Sequence, residues 1–314
     1  MEHYVTLFDS LFLPQGLALH ASMERHAGNY KLWILCVDDT VFDQLSQLNL
    51  ENVALLKLSS LEDEKLLQAK KTRAKGEYCW TLTPFAPKFV FDCDKSIEQV
   101  TYIDADMWFF ASPTPIFREF SEAGKGVLIT EHAYAPEHDQ SENSGRFCVQ
   151  FMTFHRHKGE EVRQWWQNKC LEWCFARFED GKFGDQKYLD LWPHLFDQHV
   201  HILKSKEFML APWNATRYPY SEGLLWHFHE LRIFRDWCGV LKVNFGPYRI
   251  PQPTLDAIYT KYLFDIKCAI RTIIKNNFPI KAQKKYSVRS KILISLKLAL
   301  RLRWFLQINR TARI

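Results

Sequence analysis

The stretch Val100-Thr101-Tyr102-Ile103-Asp104-Ala105-Asp106-Met107-Trp108-Phe109-Phe110 decides how this chain is read. A short run suited to a buried strand delivers two carboxylates one residue apart, and aromatic residues follow. Carboxylates at the end of a strand lie where a parallel sheet meets its ligands, and their hard oxygens suit a divalent cation. An Asp-x-Asp pair alone is common on surface loops, so its meaning rests on the segments around it.

Two earlier segments end in the same way. Tyr4 to Phe8 reads as a strand ending at Asp9-Ser10, and Leu32 to Val37 as a buried strand ending at Asp38-Asp39. Between them Leu17, Leu19, Met23 and Ala27 keep helical spacing, closed by Gly28-Asn29. Thr40 is expected to cap a second helix, Val53 to Leu58 forms a third strand, and Ser60 with Asp63 has the pattern of a capping box for a charged helix. Residues 126–130 and 148–154 read as further strands, and residues 159–178 as a Trp-rich helix whose Trp165, Trp166 and Trp173 suit the core. Strands alternating with helices imply a Rossmann-like α/β fold, a mainly parallel sheet flanked by helices. Its carboxyl edge would gather Asp9, Asp38, Asp104 and Asp106. Neither glycine-rich phosphate loop occurs, so phosphate contacts would fall to a metal and to a cation such as Lys88, within Trp80 to Phe89.

Charge divides the chain. Of 41 basic residues 13 follow Asp265, where no acid occurs, so residues 1–265 carry 28 bases against 36 acids. We therefore expect a domain over 1–265 and a basic apolar helical tail over 266–314. In the tail Lys291, Lys297, Arg301 and Arg303 stand among Ile292, Leu293, Leu298, Trp304 and Phe305. That mixture suits contact with an anionic membrane surface, and the acidic body leaves no broad basic groove for nucleic acid. The eight Cys lack paired metal-site spacing and read as buried reduced thiols. With no charged leader and no run of about 18 apolar residues, the expectation is a cytoplasmic chain, peripheral on the inner face of a membrane.

Taken in order, these motifs resemble the GT-A nucleotide-sugar glycosyltransferases, in particular the glycogenin-like and lipopolysaccharide galactosyltransferase-like group, over roughly residues 4–235. The shared parts are the first strand and helix, Tyr102-Ile103-Asp104-Ala105-Asp106, Gly184-Asp185-Gln186 and His227-Phe228. The resemblance implies a manganese (or magnesium) ion held by Asp104, Asp106 and a late histidine. This chain continues His229-Glu230-Leu231-Arg232 where the family has Gly and then Lys-Pro-Trp, so His227 and His229 both stand as candidates. It also implies donor contacts from Phe8, Asp9, Lys88, Asp104, Ala105 and Asp106, with Asp185 and Gln186 beside the reacting sugar. The implied activity is that of a hexosyltransferase, retaining by resemblance, taking a UDP-linked sugar to a glycan or lipopolysaccharide-type acceptor. Two rivals stand beside it. One is an Asp-dependent phosphatase of the haloacid-dehalogenase type, disfavoured because Trp108 takes a place usually held by Thr or Val. The other is a non-catalytic membrane adaptor that keeps the fold.

Overall fold

The structure is a computed structural model describing residues 1–236 and 238–283, and the backbone of 311–313. Its first half is a strand–helix alternation: β1 (Glu2–Phe8), α1 (Leu13–His26), β2 (Tyr30–Cys36), α2 (Asp39–Leu48), β3 (Val53–Lys57), α3 (Glu64–Thr72), α4 (Lys75–Leu82), α5 (Phe85–Cys93) and β4 (Gln99–Ile103). Next come β5 (Met107–Phe109), α6 (Thr114–Ala123), β6 (Val127–Glu131), α7 (Ser141–Ser144), β7 (Phe147–His155), α8 (Glu160–Glu172), α9 (Trp192–Leu195) and β8 (Val200–Ile202). Then come the short β9 (Met209–Leu210), β10 (Leu225–His227), β11 (Arg232–Arg235), β12 (Leu241–Asn244) and α10 (Gln252–Thr254), the long α11 (Thr260–Lys275) and the short β13 (Thr311–Arg313).

The main sheet runs β3-β2-β1-β4-β7-β6-β8. Its first four strands are parallel, β7 is antiparallel to both neighbours, and β8 is parallel to β6. This is the mainly parallel, helix-flanked α/β sheet that the sequence implies. Successive side chains of a strand point to opposite faces, so each face builds its own core. Val5, Leu35, Tyr102 and Met152 join Trp166 and Trp192 on one side, while Tyr4, Leu32, Ile34, Ile103 and Phe151 pack on the other. Trp166 is fully buried, as expected of a core residue. Register then fixes the edge. Phe8 pairs with Cys36, and Val5 with Tyr102, so β1, β2 and β4 all end on the same side of the sheet.

Local capping differs from expectation. Asp38, in extended conformation, caps α2 by accepting from Val41 N at 2.8 Å, which leaves Thr40 inside the first turn. Asp63 alone caps α3, accepting from Leu66 N at 2.9 Å, while Ser60 ends a preceding 3₁₀ turn. The Trp-rich helix stops at Glu172 because Trp173 turns extended. The boundary expected at residue 265 falls within α11, whose buried side runs without a break through Tyr262, Asp265, Ile266, Ala269, Ile270 and Ile273. The tail residues from Lys291 to Phe305 lie outside the described residues.

Gly126 opens β6 against the turn before α8, where a Cβ would stand 2.2 Å from the backbone oxygen of Lys158. Backbone cannot give way as a side chain can. Gly126→Ala is expected to lower stability by about 2–3 kcal/mol, read as a drop in urea midpoint with unchanged slope.

Candidate active site

The acids sit where β4 leaves the sheet. Asp104 N donates to Gln150 O of β7 at 3.1 Å, and Met107 N closes the turn onto Asp104 O at 3.1 Å. β5 then pairs antiparallel with β10, setting His227 opposite Met107, and Phe228 N donates to Asp106 O at 2.9 Å. Main-chain pairing thus brings a late histidine to the acids. Its Nε2 lies 3.1 Å from Asp106 Oδ1 and 3.8 Å from Asp104 Oδ2. Ligand atoms of Asp104, Asp106 and His227 all fall within 4.8 Å of one another, a group that could hold a metal ion.

The surroundings orient this group. His227 Nδ1 is 2.9 Å from Gln150 Oε1. An amide oxygen only accepts, so Nδ1 carries the proton in the neutral ring and Nε2 presents its lone pair to the acids. Tyr102 donates its hydroxyl to Asp104 Oδ1 at 2.8 Å, and the Thr83 side chain bonds both Tyr102 and Asp185. Asp185 is buried, and its Oδ2 has no hydrogen-bond partner among the described residues. The buried Asp185 therefore lies close enough to the partly buried Asp104 to feel its charge. Burial, with the charge of Asp104, lifts the Asp185 carboxyl to about 7. Asp104 is also raised, by burial and by Asp106, against the opposing charge of His227. At Asp106 burial is outweighed by the charge and hydrogen bond of His227, which hold it at about 2. His227 moves up, because the two carboxylates overcome its burial. Two carboxylates and a neutral imidazole nitrogen form a donor set that suits manganese better than the oxygen-seeking magnesium, and the unpartnered buried oxygen of Asp185 marks the neighbourhood as short of positive charge.

Other expected residues lie at varying remove. His229 stacks edge-on against Trp213, ring centroids 5.2 Å apart, and is not part of the group of converging ligand atoms. Lys88 is turned along α5 to an ion pair with Asp92. It is Thr83, five residues earlier in the same segment, that reaches Asp185 and the Tyr102 hydroxyl. Gln186 donates to Ser144 O at 2.6 Å, steadying α7. Phe8, Asp9 and Ala105 are buried at the carboxyl edge. Asp9 accepts from Leu11 N at 2.9 Å and pairs with Lys75, which also lies 3.6 Å from Asp38. Lys281 donates to Ser10 Oγ at 2.6 Å, closing that end of the edge from the far side of the chain. Gln150, Thr83 and Lys75 were not singled out from sequence. Gln150 did leave a signal, a lone amide inside the apolar run from Phe147 to Met152.

No family model matches the chain. It is 31% identical over 253 residues to the uncharacterized protein YfnF of Bacillus subtilis (strain 168), covering 79% of this chain and 82% of YfnF. The chain belongs to the YfnF family. YfnD of the same bacterium is 29% identical over 278 residues, covering 84% and 88% of the two chains. Among solved structures, the galactosyltransferase LgtC in complex with donor and acceptor sugar analogues superposes on this YfnF-family chain with a TM-score of 0.52 and 12% identity, over 85% of this chain and 95% of LgtC. The glycosyltransferase GlyE of Streptococcus pneumoniae TIGR4 gives 0.51 and 16%, over 90% and 66%. Identities this low speak of fold, and the fold is GT-A. No helix among the described residues is long and apolar enough to cross a membrane.

Two measurements bear on the site. Gln150→Leu should weaken manganese binding about 10–100-fold by calorimetry, since the imidazole loses the partner that fixes its tautomer. For pH, folded Asp185 keeps its proton to about 7, while an unfolded Asp releases it near 4. The folded chain therefore binds more protons between those values, and its stability falls as pH rises through that window. Chelator-treated protein should melt lower at pH 8 than at pH 5, and Asp185→Asn should flatten that difference.

Proposed function

We propose that this YfnF-family chain is a metal-dependent glycosyltransferase of the hexosyltransferase class, moving a sugar from a nucleotide-diphosphate donor, UDP-linked, to an acceptor hydroxyl. The convergence of Asp104, Asp106 and His227 at the carboxyl edge of a GT-A sheet carries this reading. These three residues would hold manganese or magnesium, with His227 preferred to His229 because its Nε2 faces both acids. The ion's chemistry is Lewis-acid neutralisation of the leaving diphosphate. Around it, Gln150 keeps His227 in the tautomer that presents Nε2, and Tyr102 steadies Asp104. Asp185, and Gln186 once its amide leaves Ser144, would stand beside the donor sugar, where hydrogen bonds and a nearby carboxylate would support charge developing at the anomeric carbon, with retention of configuration. Phe8, Asp9, Lys75 and Asp38 form the nucleotide end of the same edge, and Lys88 supplies positive charge if it leaves Asp92.

The acceptor is a glycan or lipid-linked glycan of lipopolysaccharide type, met at an anionic membrane surface by the basic C-terminal region on the cytoplasmic side. Purified protein should hydrolyse a UDP-sugar slowly and only with manganese or magnesium. Asp106→Asn should lower that rate at least about a hundredfold with little change in melting temperature. Undiminished turnover in the variant would remove Asp106 from the metal site, and no metal-dependent binding of any nucleotide sugar would favour the adaptor alternative.

A further inference from the structure

Helix α11 has two unlike sides. Its inner side packs on the domain through Tyr262, Ile266, Ala269, Ile270 and Ile273. The other side carries two large apolar side chains in the open, Phe264 at 62% exposed and Ile274 at 57%. Between and beside them, at helical spacing, stand the exposed Lys261, Lys267, Arg271 and Lys275. Exposed Phe and Ile at fixed spacing on one helix face carry a solvation cost that water does not relieve. The neighbouring acids do not neutralise the bases. Asp265 is turned inward, accepting from Trp108 Nε1 at 2.8 Å and from Arg25, while Asp256 lies four residues before the helix, accepting from Gln252.

We propose that this face of α11, spanning Lys261 to Lys275, lies on an anionic lipid bilayer, with Phe264 and Ile274 entering the headgroup layer and the four bases meeting lipid phosphates. Charge decides the occupant. A face with four cations and no free acid, continued by a chain that has no Asp or Glu after Asp265, repels a second copy of itself and attracts an anionic surface. Apolar tips between cations are the arrangement of an interfacial helix. The proposal rests on the membrane-acceptor reading above and adds its contact surface, part of which precedes the basic tail. Because Asp265 joins α11 to Trp108, two residues beyond Asp106, the docked helix would also fix the attitude of the acids to the membrane.

The test is co-sedimentation of the full chain with phosphatidylglycerol–phosphatidylcholine vesicles and with phosphatidylcholine alone. The pair Phe264→Ser with Ile274→Ser, and the pair Lys267→Glu with Arg271→Glu, should each weaken partition to the anionic vesicles by about tenfold or more. Phe264→Leu should retain it. Melting temperature and metal-dependent donor hydrolysis in solution should stay unchanged, so lost docking is separable from a failed enzyme. Vesicle binding that depends on these residues without any donor hydrolysis would fault the transferase reading and uphold the face. Unchanged partition of the paired variants would overturn the proposal, whether residues 284–310 bind lipid alone or cover the helix. Equal binding to phosphatidylcholine alone, or variants that turn a dimer into a monomer by light scattering, would overturn it as well.

Discussion

Two partly buried carboxylates beside a fully buried third, Asp185, are the constraint on which the rest of this molecule turns. Moving a single ionised carboxylate out of water costs several kcal/mol or more unless it is compensated, and like charges nearby add to that. The chain meets the cost in parts. Asp106 takes the charge and hydrogen bond of His227, Asp104 takes the hydroxyl of Tyr102, and Asp185 is left to hold its proton to about 7. Such an arrangement is out of balance by itself and would be balanced by a cation. The same reasoning explains why the histidine is held so firmly, with main-chain pairing on one side and a buried amide on the other.

The layout of the sheet follows from this. Four parallel strands bring Asp9, Asp38 and Asp104 to one edge, as alternating strands and helices require. The reversed strand β7 has a different task. Lying between β4 and β6, it offers Gln150 backbone oxygen to Asp104 and Gln150 side-chain oxygen to His227, so one residue positions a member of the converging group from each half of the site.

Much of this was legible in the sequence where the signal was local. The strand into Asp104, the alternation of strands and helices, and the edge shared by Asp9 and Asp38 all came from periodicity and from polar residues ending apolar runs. The choice between His227 and His229 was not legible, because both lie on the same side of an extended segment. The pairing of β10 with β5, which sets His227 against the acids, is a long-range contact with no local signature. Lys88 illustrates the opposite case. The family resemblance, not its spacing, put it at the donor, and one helical turn along stands Asp92, with which it pairs. Capping misled for a different reason: Asp38 and Asp63 themselves occupy the N-cap positions, so the neighbouring hydroxyls were not needed.

The connectivity of the site also bears on how the protein is made. His227 and Gln150 are separated by 77 positions, Trp108 and Asp265 by 157, and Ser10 and Lys281 by 271. Contacts across such distances form slowly, because much chain must be ordered before they repay it. During synthesis the early strands can pair while β10 and α11 are still inside the ribosome, so the acids exist before the histidine that belongs with them. Metal capture would therefore be among the last events of folding, and the nascent chain would carry an unfinished, self-repelling cluster until its C-terminal elements emerge.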